Sequence, residues 1–157
     1  TLDTFAIGGG CQYLLVMDHI MAEKGSYMTL PARKERIIPG MANLRLWRFT
    51  GDRIARQAIQ NGLTIHSDSE EGKLICDEIV EKGNMDKKLL ETIDAYTNSG
   101  VVGSASNRRA FRIGQEPLDT FRKYMSAYCH DQAYCHFSDA LIKNLEHYWN
   151  AASRPVK

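Results

Sequence analysis

A chain of 157 residues is normally one domain with room for a substantial core, and its 20 basic and 19 acidic residues leave a net charge of +1. That balance carries no electrostatic footprint for nucleic acid, and Arg108-Arg109 is too short a basic cluster to make one. The longest apolar run, residues 13–17, is far too short to cross a bilayer and follows no basic-then-apolar leader, so no membrane partner is expected and a soluble, cytoplasmic protein is.

Residues 1–80 mix short apolar strands with helices. Phe5-Ala6-Ile7 leads into the triplet Gly8-Gly9-Gly10, which opens an amphipathic helix running on through residues 13–17. Residues 19–22 read as a strand, and residues 27–30 as a short extended piece stopped by Pro31. Ile37-Ile38 is an apolar pair ahead of the Pro39-Gly40 turn. Leu44, Trp47 and Phe49 then mark one helix, and Ile54, Ala58 and Ile59 the next, which ends at Asn61-Gly62. Leu74-Ile75-Cys76 and Ile79-Val80 form the last expected strand.

Beyond Gly83 the pattern is helical. Asn84 can cap a run over residues 85–96 that carries Leu89, Leu90, Ile93 and Tyr96 at helical spacing, and Asn98-Ser99-Gly100 breaks it. From Pro117, well placed at a helix start, to about Trp149, aromatic and apolar residues recur. The expected organisation is α/β, with a core over residues 1–80 and a helical region over residues 81–157. An apolar stripe alone does not say whether that region packs within the chain or against another subunit.

Cys11, Cys76, Cys129 and Cys135 show no disulfide framework and are expected as free, mostly buried thiols. On one helix, Cys129 and His136 share a face but lie about 10 Å apart along the axis, too far to hold one ion by themselves, so no metal is expected. The glycine triplet has two readings. Glycines between an apolar segment and a helix expose backbone N–H groups at the helix's positive end, where an oxyanion is stabilised, but the same cluster also serves as an ordinary turn.

Residues 8–18, then 26–31, then Ile37-Ile38-Pro39-Gly40 and the helical run to Phe49 resemble the crotonase (enoyl-CoA hydratase) superfamily in motif, order and spacing. The resemblance implies that Gly9 donates one of two backbone N–H groups to a thioester carbonyl as it becomes an enolate, with Gly8 and Gly10 beside it. Hydratases carry glutamates at the positions of Gln12 and Ala32. Neither side chain here can move a proton at neutral pH, so hydration by paired carboxylates is not expected.

With those losses, the wording Tyr27-Met28-Thr29-Leu30-Pro31-Ala32-Arg33-Lys34-Glu35, Asn107-Arg108-Arg109-Ala110-Phe111-Arg112 and Gln132-Ala133-Tyr134-Cys135-His136-Phe137-Ser138 looks like the cofactor-independent dioxygenase branch that acts on 3,5-dihydroxyphenylacetyl-CoA. The branch implies an acyl-CoA substrate, O₂ as co-substrate, and neither metal nor flavin. It also implies the C-terminal portion of a ββα spiral core followed by a helical oligomerisation region that builds homotrimers or dimers of trimers.

The second oxyanion N–H comes, in that fold, from well upstream of the triplet. An upstream N-terminal polypeptide is therefore an expected partner, and the chain alone is expected to be catalytically incomplete. Gln12 can donate to and accept from a phenolic hydroxyl, or bond to backbone at its helix start. Ala32 leaves the carboxylate position empty for O₂. Leu30, Ile37 and Ile38 are candidate walls of an oxygen pocket, although such side chains are equally at home in an ordinary core. Arg33, Lys34 and Arg36 are candidate contacts for CoA phosphates or a solvated face. Two competing expectations are another enolate-forming activity, such as a thioesterase, isomerase or decarboxylase, and a non-catalytic fragment that supplies oligomer contacts.

Overall fold

Short strands alternate with helices up to Val80, and helices follow. The computed structural model describes residues 1–98 and 101–152. Strand β1 (Phe5–Ile7) runs into helix α1 (Gly9–Leu14), followed by β2 (Met21–Glu23), β3 (Tyr27–Thr29), α2 (Ala32–Glu35), α3 (Ala42–Arg45), α4 (Trp47–Asn61), β4 (Ile65–His66) and β5 (Glu78–Val80). The later helices are α5 (Met85–Thr97), α6 (Val101–Gln115), α7 (Leu118–His136) and α8 (Asp139–Ala152).

β1 and β3 pair in parallel, Ala6 opposite Met28, and β4 adds antiparallel to β3. The α1 crossover between β1 and β3 is what a parallel pair requires. β2 and β5 form a second parallel pair, with Leu2 bridged to Ala22. Strand alternation explains which side chains go inside: Ala6 is buried between exposed Phe5 and Ile7, and Met28 is buried between its neighbours. Ala6, Cys11, Leu14, Met28, Leu30, Leu46 and Ile65 meet in one core, and a smaller cluster of Met21, Val80 and Met85 seats α5 on β2 and β5. The buried hydroxyls Ser26 and Ser67 satisfy each other at 3.0 Å, and Ser67 Oγ also donates to Glu23 C=O.

Several elements depart from the sequence expectation. The strand expected over 19–22 begins only at Met21, because the Asp77 carboxylate takes the Ile20 N–H at 2.7 Å and Ile20 C=O takes the N–H groups of Asp77 and Glu78. Leu74-Ile75-Cys76 is not a strand. A 3₁₀ turn, Gly72–Leu74, occupies its start, and the Ile75 and Cys76 N–H groups both return to Gly72 C=O. Gly72 is fixed there by crowding, since a Cβ would lie 2.0 Å from His66 C=O. The triad is apolar because Ile75 and Cys76 enter the core, not because it joins a sheet. The two-residue β4, held by its pairing with β3, carries too short a pattern to be read in advance.

Of the two helices expected after the Pro39-Gly40 turn, the first is divided between α3, which carries Leu44, and the start of α4, which carries Trp47 and Phe49; Gly51, at φ 75° and ψ 164°, then interrupts α4 ahead of Ile54. Gly62, left-handed, closes α4 with its N–H on Ala58 C=O. Asn84 precedes α5 without a side-chain cap, and Asn98 closes that helix; Ser99 and Gly100, expected to break it, lie outside the described residues. The long run after Pro117 splits in two because the Ser138 hydroxyl donates to Cys135 C=O at 2.7 Å and accepts from Leu141 N–H, ending α7 and starting α8.

Contrary to the expectation for the thiols, only Cys11 and Cys76 are buried; Cys129 is exposed and Cys135 half-buried. Among the described residues no helix is long and apolar enough to cross a membrane. Helices α6 to α8 leave Val102, Phe111, Phe137 and Trp149 largely exposed.

Candidate functional site

The three glycines are required for different reasons. Gly8, at φ 55° and ψ −110°, turns the chain from β1 into α1 in a conformation that a side chain would strain, and its N–H continues the β1–β3 pairing onto Thr29 C=O at 2.9 Å. Gly10 has no such need, since a Cβ there would make ordinary contact with Ala6 at 3.7 Å. Gly9 lies between them, exposed, and a Cβ there would meet nothing within 4 Å. It opens α1, so its N–H has no partner within the helix. Neither its conformation nor its packing demands glycine, and a Cβ there would fill open space at the N-terminus of α1.

Gln12, one turn on, is half-buried, and its Oε1 accepts the Met41 N–H at 2.9 Å. The carboxamide is therefore anchored to the turn over residues 38–41. That turn has Gly40 at φ 49°, with the Gly40 N–H on Ile38 C=O at 2.8 Å. A Cβ on Gly40 would fall 2.4 Å from Gln12 Oε1, so Gly40 is set both by its backbone and by the amide lying against it.

Helix α7 meets the same turn from the other side. Gln132 Oε1 accepts the Ile38 N–H at 2.9 Å, and the Tyr124 hydroxyl donates to Gly40 C=O. Burial pushes the Tyr124 hydroxyl pKa above its ordinary value, against a smaller opposing effect from the Asn43 amide. The sequence offered Tyr124 and Gln132 only as members of a recurring aromatic stretch and of a family-like wording. Their role becomes visible when α7 folds back over the turn.

Ala32 is buried at the start of α2. Leu30 belongs to the main core, whereas Ile37 and Ile38 are half-buried on the segment leading into the turn. Arg33 is committed to the end of α4, donating to Gln60 C=O at 2.7 Å and to Asn61 Oδ1 at 3.2 Å, while Lys34 and Arg36 are exposed. Cys11, directly behind the triplet, is no nucleophile: burial, with Cys76 nearby, pushes its pKa up to about 12, and burial likewise lifts Cys76 to about 11.

An open groove of about 1200 Å³ lies elsewhere, lined by Leu15, His19, Phe49, Phe111, Arg112 and Phe121. None of the sequence-predicted site residues borders it. The structure thus joins Gln12 to the turn after Ile38 and places Gly9 at the mouth of the same helix, but it does not draw Leu30 into a cavity.

No protein-family model matches the chain. It is 44% identical over 132 residues to (3,5-dihydroxyphenyl)acetyl-CoA 1,2-dioxygenase of Amycolatopsis orientalis, an alignment that takes in 84% of this chain and 30% of that protein. Its fold matches an enoyl-CoA hydratase from Mycobacterium avium subsp. paratuberculosis at a TM-score of 0.84 and 13% identity, covering 99% of this chain and 63% of that one. A putative enoyl-CoA hydratase from Streptomyces avermitilis gives 0.81 at 15% identity over 99% and 56%, and a carnitinyl-CoA hydratase from Mycobacterium avium 0.74 at 22% over 98% and 59%. The chain therefore spans less than a third of that dioxygenase and under two thirds of these structures. Its architecture is that of the crotonase fold of these structures, an α/β core followed by helices, and over 84% of its length the chain is a relative of that dioxygenase.

Proposed function

We propose that this chain supplies the Gly9 half of an oxyanion site and the Gln12 substrate contact of a cofactor-independent dioxygenase. That enzyme converts 3,5-dihydroxyphenylacetyl-CoA and O₂ to 3,5-dihydroxyphenylglyoxylate and free CoA. The observation that carries the proposal is the 44% identity to a dioxygenase of that name, together with an amide and a methyl group where hydratases hold carboxylates. Residues 1–80 act as the reactive core and residues 81–157 as the assembly region of a homotrimer or dimer of trimers. The second oxyanion donor and the base come from an upstream polypeptide of the same enzyme.

Loss of one α-proton places charge on the thioester oxygen, where a fixed donor such as Gly9 N–H contributes about 3 to 4 kcal/mol by analogy with other oxyanion holes. The carbanion passes one electron to O₂, and the radical pair recombines as a peroxide on the α-carbon. Attack of the terminal peroxide oxygen on the thioester carbonyl breaks the C–S bond and releases CoA as thiolate. O–O cleavage with loss of the second α-proton leaves the keto acid. One substrate and one O₂ thus give one glyoxylate, one CoA thiol and one proton. Gln12 orients the aryl ring through a phenolic hydroxyl, and Ala32, with Ile37 and Ile38 nearby in sequence, keeps acids away from the carbanion.

The test is oxygen uptake by the complete enzyme with this thioester after exhaustive chelation and removal of flavin. Stoichiometric O₂ consumption with release of CoA is expected. Thioester consumption without O₂ uptake points to hydrolysis, isomerisation or decarboxylation instead, and loss of activity that one added metal restores overturns the mechanism.

A further inference from the structure

The turn over residues 38–41 is gripped from two sides. On one side its Met41 N–H holds the Gln12 carboxamide; on the other, α7 takes the Ile38 N–H on Gln132 Oε1 and gives the Tyr124 O–H to Gly40 C=O. Tyr124 and Gln132 are eight residues apart on one helix face, with Tyr128 between them stacked on Tyr124 at 6.2 Å and 4° between planes. No residue of α7 is buried, and Phe121, Met125 and Tyr128 are only half-buried, so these polar contacts join a thin apolar packing in registering the helix on the turn.

The Gln132 amide has one usable orientation. A backbone N–H demands its oxygen, so its Nε2 faces His136 Nε2 at 2.9 Å, which accepts only when the ring carries its proton on Nδ1. The chain of contacts runs from His136 through Gln132 to Ile38, along the turn to Met41, and on to Gln12 in the first turn of the helix that Gly9 opens.

We propose that Tyr124 and Gln132 are positioning residues for the reaction: by fixing the turn over residues 38–41 they fix Met41 N–H, and with it the direction in which Gln12 presents its Nε2. The proposal rests on the reading of Gln12 as a substrate contact. Displacements of about 1 Å in such a support are enough to cost a hundredfold in rate, which is why a helix outside the core can matter to turnover.

The experiment is a double-mutant cycle in the complete enzyme with 3,5-dihydroxyphenylacetyl-CoA. Gln132→Leu and Tyr124→Phe each lower kcat about tenfold or more, with KM changed by less than about threefold. Hydrogen exchange speeds up over residues 38–41 and not in β1 or β3. Gln132→Glu, which keeps an acceptor for Ile38 N–H, returns kcat and protection towards the parent. Adding Gln132→Leu to Gln12→Ala costs little beyond Gln12→Ala alone, because the support has nothing left to orient. Fully additive losses overturn the proposal, as do parent-like kcat values in both α7 variants when Gln12→Ala is slow. A parent-like rate in Gln12→Ala overturns the substrate-contact reading itself and this proposal with it. Tyr124→Phe removes a single oxygen atom, so a folded protein remains for the test even where Gln132→Leu unfolds.

Discussion

Single atoms decide most of the candidate site. The triplet was legible as glycines before a helix, yet only the backbone separates their duties: Gly8 answers to its φ of 55°, Gly10 to no steric demand, and Gly9 to open space. Gly8→Ala is accordingly expected to lower stability by about 1 kcal/mol or more through strain at positive φ, read as a fall in urea midpoint, whereas Gly10→Ala leaves the midpoint close to the parent. Ala32 makes the sharper functional prediction. At 4% exposure its side chain has no access to bulk water, so a glutamate introduced there and left unpaired holds its proton, and in the proposed reaction would return it to the carbanion. Ala32→Glu in the complete enzyme is expected to lose O₂ uptake while still exchanging the substrate α-protons with deuterated solvent. Oxidation at the parent rate by a folded, thioester-binding variant removes Ala32 from the reactive pocket.

Elements were readable where their periodicity is local and misread where distant partners decide. Two helices after Gly40 could be seen in the spacing of Leu44, Trp47 and Phe49 against Ile54, Ala58 and Ile59, and Gly51 is what separates Phe49 from Ile54. Its φ of 75° with ψ of 164° belongs to a region that only glycine occupies cheaply. Gly51→Ala should cost about 1 to 3 kcal/mol, seen as a lower thermal midpoint with little change in helix content at 20 °C or so. An unchanged midpoint would mean that the break does not depend on glycine. Leu74-Ile75-Cys76 misled because apolar character marks burial, not pairing: the Leu74 N–H folds back onto Glu71 C=O and those of Ile75 and Cys76 onto Gly72 C=O, so none is left for a neighbouring strand. The Ser138 break was hidden for a related reason, since the apolar stripe continues across it while the hydroxyl caps both sides. Tyr124 and Gln132 could not be assigned from sequence at all, because the turn they hold lies 84 and 94 residues away along the chain.

Across the whole molecule, the helical region is tied to the core by charge as well as by packing. Glu116, between α6 and α7, receives Arg45 in a bidentate pair at 2.6 and 3.0 Å and Arg48 at 3.0 Å, joining that corner to α3 and α4. All three side chains are about four-fifths sheltered, which makes this ion cluster stronger than the exposed pairs such as Arg56–Asp52. The hydrogen bond from Arg45 leads, with both guanidinium charges assisting against partial burial, in holding the Glu116 carboxyl below its ordinary value. A carboxyl depressed by folding binds its proton more readily in the unfolded chain. Its contribution is therefore complete above the unfolded value of about 4.3 and is lost as pH falls through the lower folded value. Glu116→Gln should cost about 2 kcal/mol at pH 7, because two sheltered guanidinium groups lose their counter-charge. The gap between parent and variant should narrow steadily as the pH drops below about 4, since the parent's own carboxylate is then neutralised. Urea midpoints measured for both proteins at pH 7 and on a descending series to pH 3 test this directly. A gap that stays constant across the series would mean that Glu116 acts by shape and hydrogen bonding rather than by charge.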